Sequence, residues 1–215
     1  MSSLEPKEPL LTRGVQWVLA FTLAYLAVAV IGALATGNSE FIIYIGIMAV
    51  LIGVIAFVHY RVNLMLATLW ALTGWGAAHM AGGLVPVPES WPINGDIRVL
   101  YSLWLIPERL KYDQVLHAYG FGVTTWVCWQ GLRSVLVRFG PARPTFGLMV
   151  LCAAAGMGFG ALNEVIEFTA TLLVPETNVG GYVNTGWDLV SNLTGTVIAA
   201  TLIVLTGRGS EPASE

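Results

Sequence analysis

Six polar side chains stand in pairs at helical spacing, and a seventh stands alone, inside stretches that are otherwise apolar. In "GALNEVIEF" (160–168), Glu164 and Glu167 lie three apart, and no other charge occurs from Thr145 to Pro175. Asp188 and Asn192 are four apart, as are Asp113 and His117, while His79 stands in "WGAAHMAGG" (75–83). Residues three or four apart share a helix face, so each pair offers two polar groups side by side. Carboxylate oxygens and imidazole nitrogens are ligand types suited to zinc, manganese or magnesium. A divalent ion held by them would activate a bound water for hydrolysis. Without metal, neighbouring carboxylates titrate as a coupled pair and can serve as general acid and base. The candidate catalytic and metal-ligating set is therefore His117, Glu164, Glu167 and Asp188. His79 and Asp113 are further candidate ligands, and Asn163 and Asn192 are candidate supporting partners. Asp113 has a plainer reading as the N-cap of the helix it opens, and His79 as a satisfied core histidine. His59 reads as interfacial and incidental.

The composition says what surrounds these groups. Of 215 residues, 56% are hydrophobic and 11% charged, and the mean hydropathy is +0.72. A soluble domain carries about 25% charge, so the chain reads as a membrane protein. Net charge is −3 with no basic run, which argues against nucleic acid as a partner. Cys128 and Cys152 lack any C-x-x-C or zinc spacing and read as packing residues.

Six apolar segments, near 14–35, 41–59, 63–84, 114–137, 145–172 and 186–206, are each close to the ~20 residues that span a bilayer. Backbone groups in lipid must be paired internally, so these segments should be helices. The expected architecture is an all-α, six-transmembrane-helix bundle over 14–206, with polar ends at 1–13 and 207–215. The first segment could pass for a signal peptide ending at "ALA" (33–35). Its apolar run exceeds the typical core of about 7–15 residues, which favours a retained helix. With the N-terminus inside, Lys7, Arg13, Arg61, Arg133, Arg138, Arg143 and Arg208 fall inside and only Arg98, Arg109 and Lys111 outside. Both termini therefore read as cytoplasmic. The one long connection, 85–113, opens with "VPVPESWPINGD", expected to be irregular and stiff. It continues with "IRVLYSLWLIPERLKYD", expected at the headgroup level.

This topology sets the depth of each polar group. His79, the Asp113–His117 pair, Glu164 with Glu167, and Asp188 with Asn192 all fall toward the outer leaflet, on four different helices. An ionised side chain at mid-membrane costs about 2.5–3.5 kcal/mol on the lenient scale, so these groups should face one another inside the bundle. Gly156 and Gly160, four apart, permit close helix approach; Gly74, Gly76 and Ala78 read similarly before His79, and Gly120 and Gly122 after His117.

Four ordered motifs, "HMAGG" (79–83), "DQVLHAYG" (113–120), "NEVIEF" (163–168) and "NTGWDLVSNLTG" (184–195), resemble the VanZ-like group of small polytopic membrane proteins. Within it they are similar to the YjdF-like bacterial inner-membrane proteins. The likeness covers about 63–200 and implies a multi-pass protein of the inner membrane with a link to the cell envelope. It does not carry a defined reaction.

Three functions fit. The site recognises or modifies a lipid headgroup or envelope precursor, or it couples transport of a small solute to protons or cations, or it staples the helices structurally. A staple needs cations beside its acids, and segments five and six hold none before Arg208; Arg98, Arg109 or Lys111 would have to fold over from the loop. Membrane lipids are the expected partners. The orientation has a direct check. A periplasm-dependent phosphatase reporter inserted after Gly95 should be active, whereas activity only from a cytoplasmic reporter there would move the site to the inner leaflet.

Overall fold

The computed structural model describes residues 11–37, 39–174, 177 and 179–208. The polar ends at 1–10 and 209–215 lie outside the described residues. Among the described residues there are six α-helices: α1 (Arg13–Thr36), α2 (Ser39–Val62), α3 (Leu66–Leu84), α4 (Tyr112–Leu136), α5 (Phe146–Leu173) and α6 (Tyr182–Arg208). Two short strands, β1 (Trp104–Ile106) and β2 (Leu110–Lys111), join the third helix to the fourth. By length and composition, α1, α2, α5 and α6 could each cross a membrane. α3 and α4 fall below that measure because their threonines, tryptophans, glycines and histidines lower the mean hydropathy. α4 packs most extensively on α6, then on α5 and α3.

Local chemistry explains the helix ends. Thr12 caps α1 by accepting the Val15 amide at 3.3 Å, and Gly37 ends it in the left-handed region at φ 66°. This use of glycine satisfies the last carbonyls. Thr145 caps α5 in the same manner as Thr12, accepting from Leu148 at 3.4 Å. Asn63, at φ 52°, separates α2 from α3. α2 runs on to Val62, so His59 stands in its last turn. It is buried, and neither ring nitrogen has a hydrogen-bond partner among the described residues. Asp113 is not the cap of α4. Lys111 occupies that position, and its amide donates to Gln114 Oε1 at 2.9 Å.

The outer surface is apolar, with Trp17, Ile31, Phe146, Leu172 and Leu173 exposed, as suits a hydrocarbon solvent. The interior combines apolar clusters with completely buried polar side chains, among them Asn192, Thr125, Thr196 and Asp188. Buried polar groups tie the helices: the Thr22 and Thr73 hydroxyls meet at 2.5 Å, and the Gln130 amide donates to Thr68 Oγ1 at 2.7 Å. Cys152 is a buried free thiol packed with Trp129, Met149 and Ile203, and Cys128 packs against that cluster, as packing residues should.

Close crossings depend on glycine. A Cβ on Gly160 would lie 2.6 Å from Asn192 Nδ2, and one on Gly156 would lie 2.2 Å from Thr125 Oγ1. On Gly195 it would lie 1.8 Å from the Ala118 carbonyl oxygen. Gly74 does not have the packing role suggested by its sequence context, since its nearest neighbour would be Tyr119 Oη at 4.0 Å.

The 85–99 stretch is irregular, as expected, with isolated bridges Pro86–Val99 and Ile93–Leu103, and it is held stiff by its own hydrogen bonds. Val87 N–H donates to the Arg98 carbonyl at 3.1 Å, Asn94 to Ser102 at 2.8 Å, and Trp104 to Pro92 at 3.0 Å. The Arg98 guanidinium donates to the Pro88 and Trp91 carbonyls. The antiparallel pairing of Trp104 with Lys111 completes a cap over the end of the bundle where α4 and α6 begin. Overpacking typically costs 1–3 kcal/mol, and the glycine contacts turn this into a test. In detergent, Gly195→Ala should lower thermal stability by at least about 2 kcal/mol, whereas Gly158→Ala, which meets nothing within 4 Å, should be neutral.

Candidate functional site

Three helices at the capped end contribute polar residues one turn apart. α4 offers Asp113 and His117, α5 offers Asn163, Glu164 and Glu167, and α6 offers Asn184, Asp188 and Asn192. The Gly160 crossing brings α5 against Asn192 of α6, and the packing of α4 on α6 brings in His117. Its Nδ1 lies 3.1 Å from Asn192 Oδ1 and 3.6 Å from Glu164 Oε1. Its Nε2 lies 3.5 Å from Asp113 Oδ1 and 3.9 Å from Glu167 Oε1. One buried imidazole thus sits among three carboxylates, with Asp188 close by.

Two overlapping donor sets result. His117, Glu164 and Glu167 form one, and Asp113, His117 and Asp188 form the other, each with its ligand atoms within 4.8 Å of one another. The predicted residues are therefore brought together, and Asn163 supports them by donating to Glu167 Oε1 at 2.7 Å. Asn184 donates to Asp188 Oδ2 at 2.5 Å. Several polar atoms have no hydrogen-bond partner among the described residues: both Glu164 oxygens, Asp188 Oδ1 and Asn192 Nδ2. Glu164 is only 9% exposed, and Asp188 and Asn192 are 0% exposed.

His79 belongs to neither donor set. Its Nδ1 lies 2.5 Å from the hydroxyl of Tyr101, in the turn 100–102. Burial pushes the Tyr101 phenol well above its ordinary range, so it stays protonated and shares this hydrogen bond with His79. His79 nevertheless lines the same cavity of about 270 Å³ as Asp113 and Glu167.

Some functional candidates were not read from the sequence. Lys111, raised there only as one of three loop cations, supplies the cation: it is 6% exposed, with Nζ 3.5 Å from Asp113 Oδ2 and in contact with Asn184 Oδ1. Arg98 instead serves the cap's own carbonyls. Asn184 could have been found, since it stands four residues before Asp188, the spacing that singled out Asn192. Glu40, Tyr44 and Tyr101 also line the cavity, and only folding reveals them.

Carboxylates outnumber cations here even after Lys111 is counted. Unit charges 4 Å apart interact by about 4 kcal/mol at an effective dielectric of 20. The cluster therefore calls for further positive charge, from protons or a bound cation. A helical membrane protein with a buried, acid-rich cluster at one end of its bundle is the class this structure defines. The chain belongs to the family described as "Predicted membrane protein (DUF2238)", whose model matches residues 16–209. No curated protein and no solved structure matches it.

Removing one member of a buried pair leaves the other uncompensated, at about 3–5 kcal/mol. Lys111→Met should therefore destabilise the detergent-solubilised protein by about 3 kcal/mol, and adding Asp113→Asn should restore much of that loss. An additive double-mutant cycle would show that the two side chains do not act together.

Proposed function

We propose that this family member binds a divalent cation between His117, Glu164, Glu167 and Asp188, and there recognises or modifies a lipid headgroup or envelope precursor. The observation that carries the reading is Glu164. It is buried, both its oxygens lack hydrogen-bond partners among the described residues, and one lies 3.6 Å from the His117 ring. A structural staple would satisfy its members, because a half-satisfied polar network is worse than an apolar core. A cation would use those idle oxygens and offset the excess charge. Imidazole and carboxylate donors suit zinc or manganese, and magnesium if waters complete its shell. Once bound, such an ion supplies Lewis acidity at the end of the polar cavity.

On this reading all six helices span the membrane, both termini are cytoplasmic, and the cavity opens toward the outer leaflet of the inner membrane. The concentration of Arg13, Arg61, Arg133, Arg138 and Arg143 at the opposite end of the bundle supports that orientation. The motif likeness to VanZ-like and YjdF-like proteins supports an envelope setting. A transport route is less favoured, since the carboxylates gather at one end, and the polar pairs elsewhere, such as Thr22 with Thr73, are uncharged.

Elemental analysis of detergent-purified protein tests the proposal. Wild type should carry close to one zinc or manganese per chain, and Glu164→Gln and Glu167→Gln should each lose most of it. Wild type without metal after supplementation with zinc, manganese and magnesium would rule out the metal site.

A further inference from the structure

A separate cavity lies between α1, α2 and α3 and shares no member of the acid cluster. It measures about 310 Å³, and no Lys, Arg, Asp or Glu among the described residues lines it. Its walls are apolar side chains such as Val18, Ile52 and Leu69, with the rings of Tyr25 and Trp75. That is the usual make-up of a small-molecule site, a mostly apolar hollow with a few polar groups. The buried threonines of the wall are provided for. Thr22 donates to the Val18 carbonyl at 2.8 Å, its oxygen lies 2.5 Å from that of Thr73, and the Tyr25 hydroxyl joins the same pair. His59 is the exception. It lines the cavity from the last turn of α2, is 9% exposed, and neither ring nitrogen has a hydrogen-bond partner among the described residues. A buried polar group left unpaired lowers stability, so this imidazole calls for a partner that the described residues do not supply.

We infer that the cavity takes the ring of a membrane-soluble quinone, with one ring oxygen hydrogen-bonded to His59. The walls select the class. A phospholipid headgroup brings phosphate, and no cation lines the cavity to receive it. A fatty-acid carboxylate would require a charged imidazole in apolar surroundings, which is costly. A quinone is neutral and arrives through the hydrocarbon, and its flat ring stacks on the faces of Tyr25 and Trp75. Neutral imidazole has one N–H donor and one bare nitrogen acceptor. The donor suits a quinone carbonyl, and the acceptor suits the hydroxyl of the reduced form. The ring torsion of histidine is broad, so either nitrogen can be turned to the ligand. One side chain thereby serves both redox states, which a lysine or a carboxylate does not do. The inference goes beyond the metal reading and does not depend on it.

The test is native mass spectrometry of the full-length protein in detergent with three compounds of equal chain length: decyl-para-benzoquinone, decylbenzene and decanoic acid. Wild type should retain the quinone about tenfold over decylbenzene, as one hydrogen bond in apolar surroundings gives. His59→Phe keeps a ring in place and removes both nitrogens. It should bring the two compounds to parity without lowering thermal stability, since no hydrogen bond is lost. Ala56→Trp, at an exposed position on the same wall, should expel both compounds, and it serves if His59→Phe does not fold. Metal content should match wild type in both variants, because neither touches the donor sets. Equal retention of quinone and decylbenzene by wild type would overturn the inference, as would a preference that survives His59→Phe or a quinone that still binds Ala56→Trp. Decanoic acid retained above the quinone would also overturn it, and would make the site one for a carboxylate amphiphile.

Discussion

The carboxyl groups gathered around His117 are the constraint on which the rest of this structure depends. Asp113, Glu164 and Glu167 each bring an oxygen within 4 Å of its ring, in a bundle whose outer surface is apolar. Lipid cannot solvate these groups, so the helices that carry them have to face inward and stay close. Small residues make that closeness possible. Without Gly160 the Asn192 amide would be displaced from the ring of His117, and without Gly195 the backbones of α4 and α6 would separate.

The cap is the second half of the same arrangement. Lys111 ends β2, precedes α4 and reaches the acidic cluster, so the register of a two-stranded hairpin decides where the cation stands. Pairing with Trp104 fixes its backbone, and the Gln114 side chain holds its amide. The turn that leads into the hairpin seats Tyr101 between Gly82 and His79. A connection that looks like a spacer between membrane segments is thereby part of the site.

Satisfaction is uneven across the cluster. Glu167 and Asp188 each accept a donor from an asparagine one turn away, while Glu164 accepts none among the described residues. Leaving a buried acceptor unpaired costs about 1–3 kcal/mol. A protein gains nothing from that cost unless another group uses the oxygens. This unevenness, more than the mere presence of acids, is what supports the proposed binding site over a staple.

The amino-acid sequence by itself determined the membrane class, the helical segments to within a few residues, and most of the cluster. It could do so because hydropathy and the three- or four-residue spacing of Asp113–His117, Glu164–Glu167 and Asp188–Asn192 are properties of single helices. The helix ends were less legible. α6 begins at Tyr182 rather than near 186, which draws Asn184 into the ladder below Asp188. Tertiary structure alone decided the rest. Which loop cation joins the acids depends on hairpin register, and the reach of Tyr101 to His79 depends on how the cap folds back. The entry of Glu40 and Tyr44 depends on α2 packing against α3 at Gly83 and Phe41. None of these has a sequence period, because each joins residues from different elements. Only packing brings them within bonding distance.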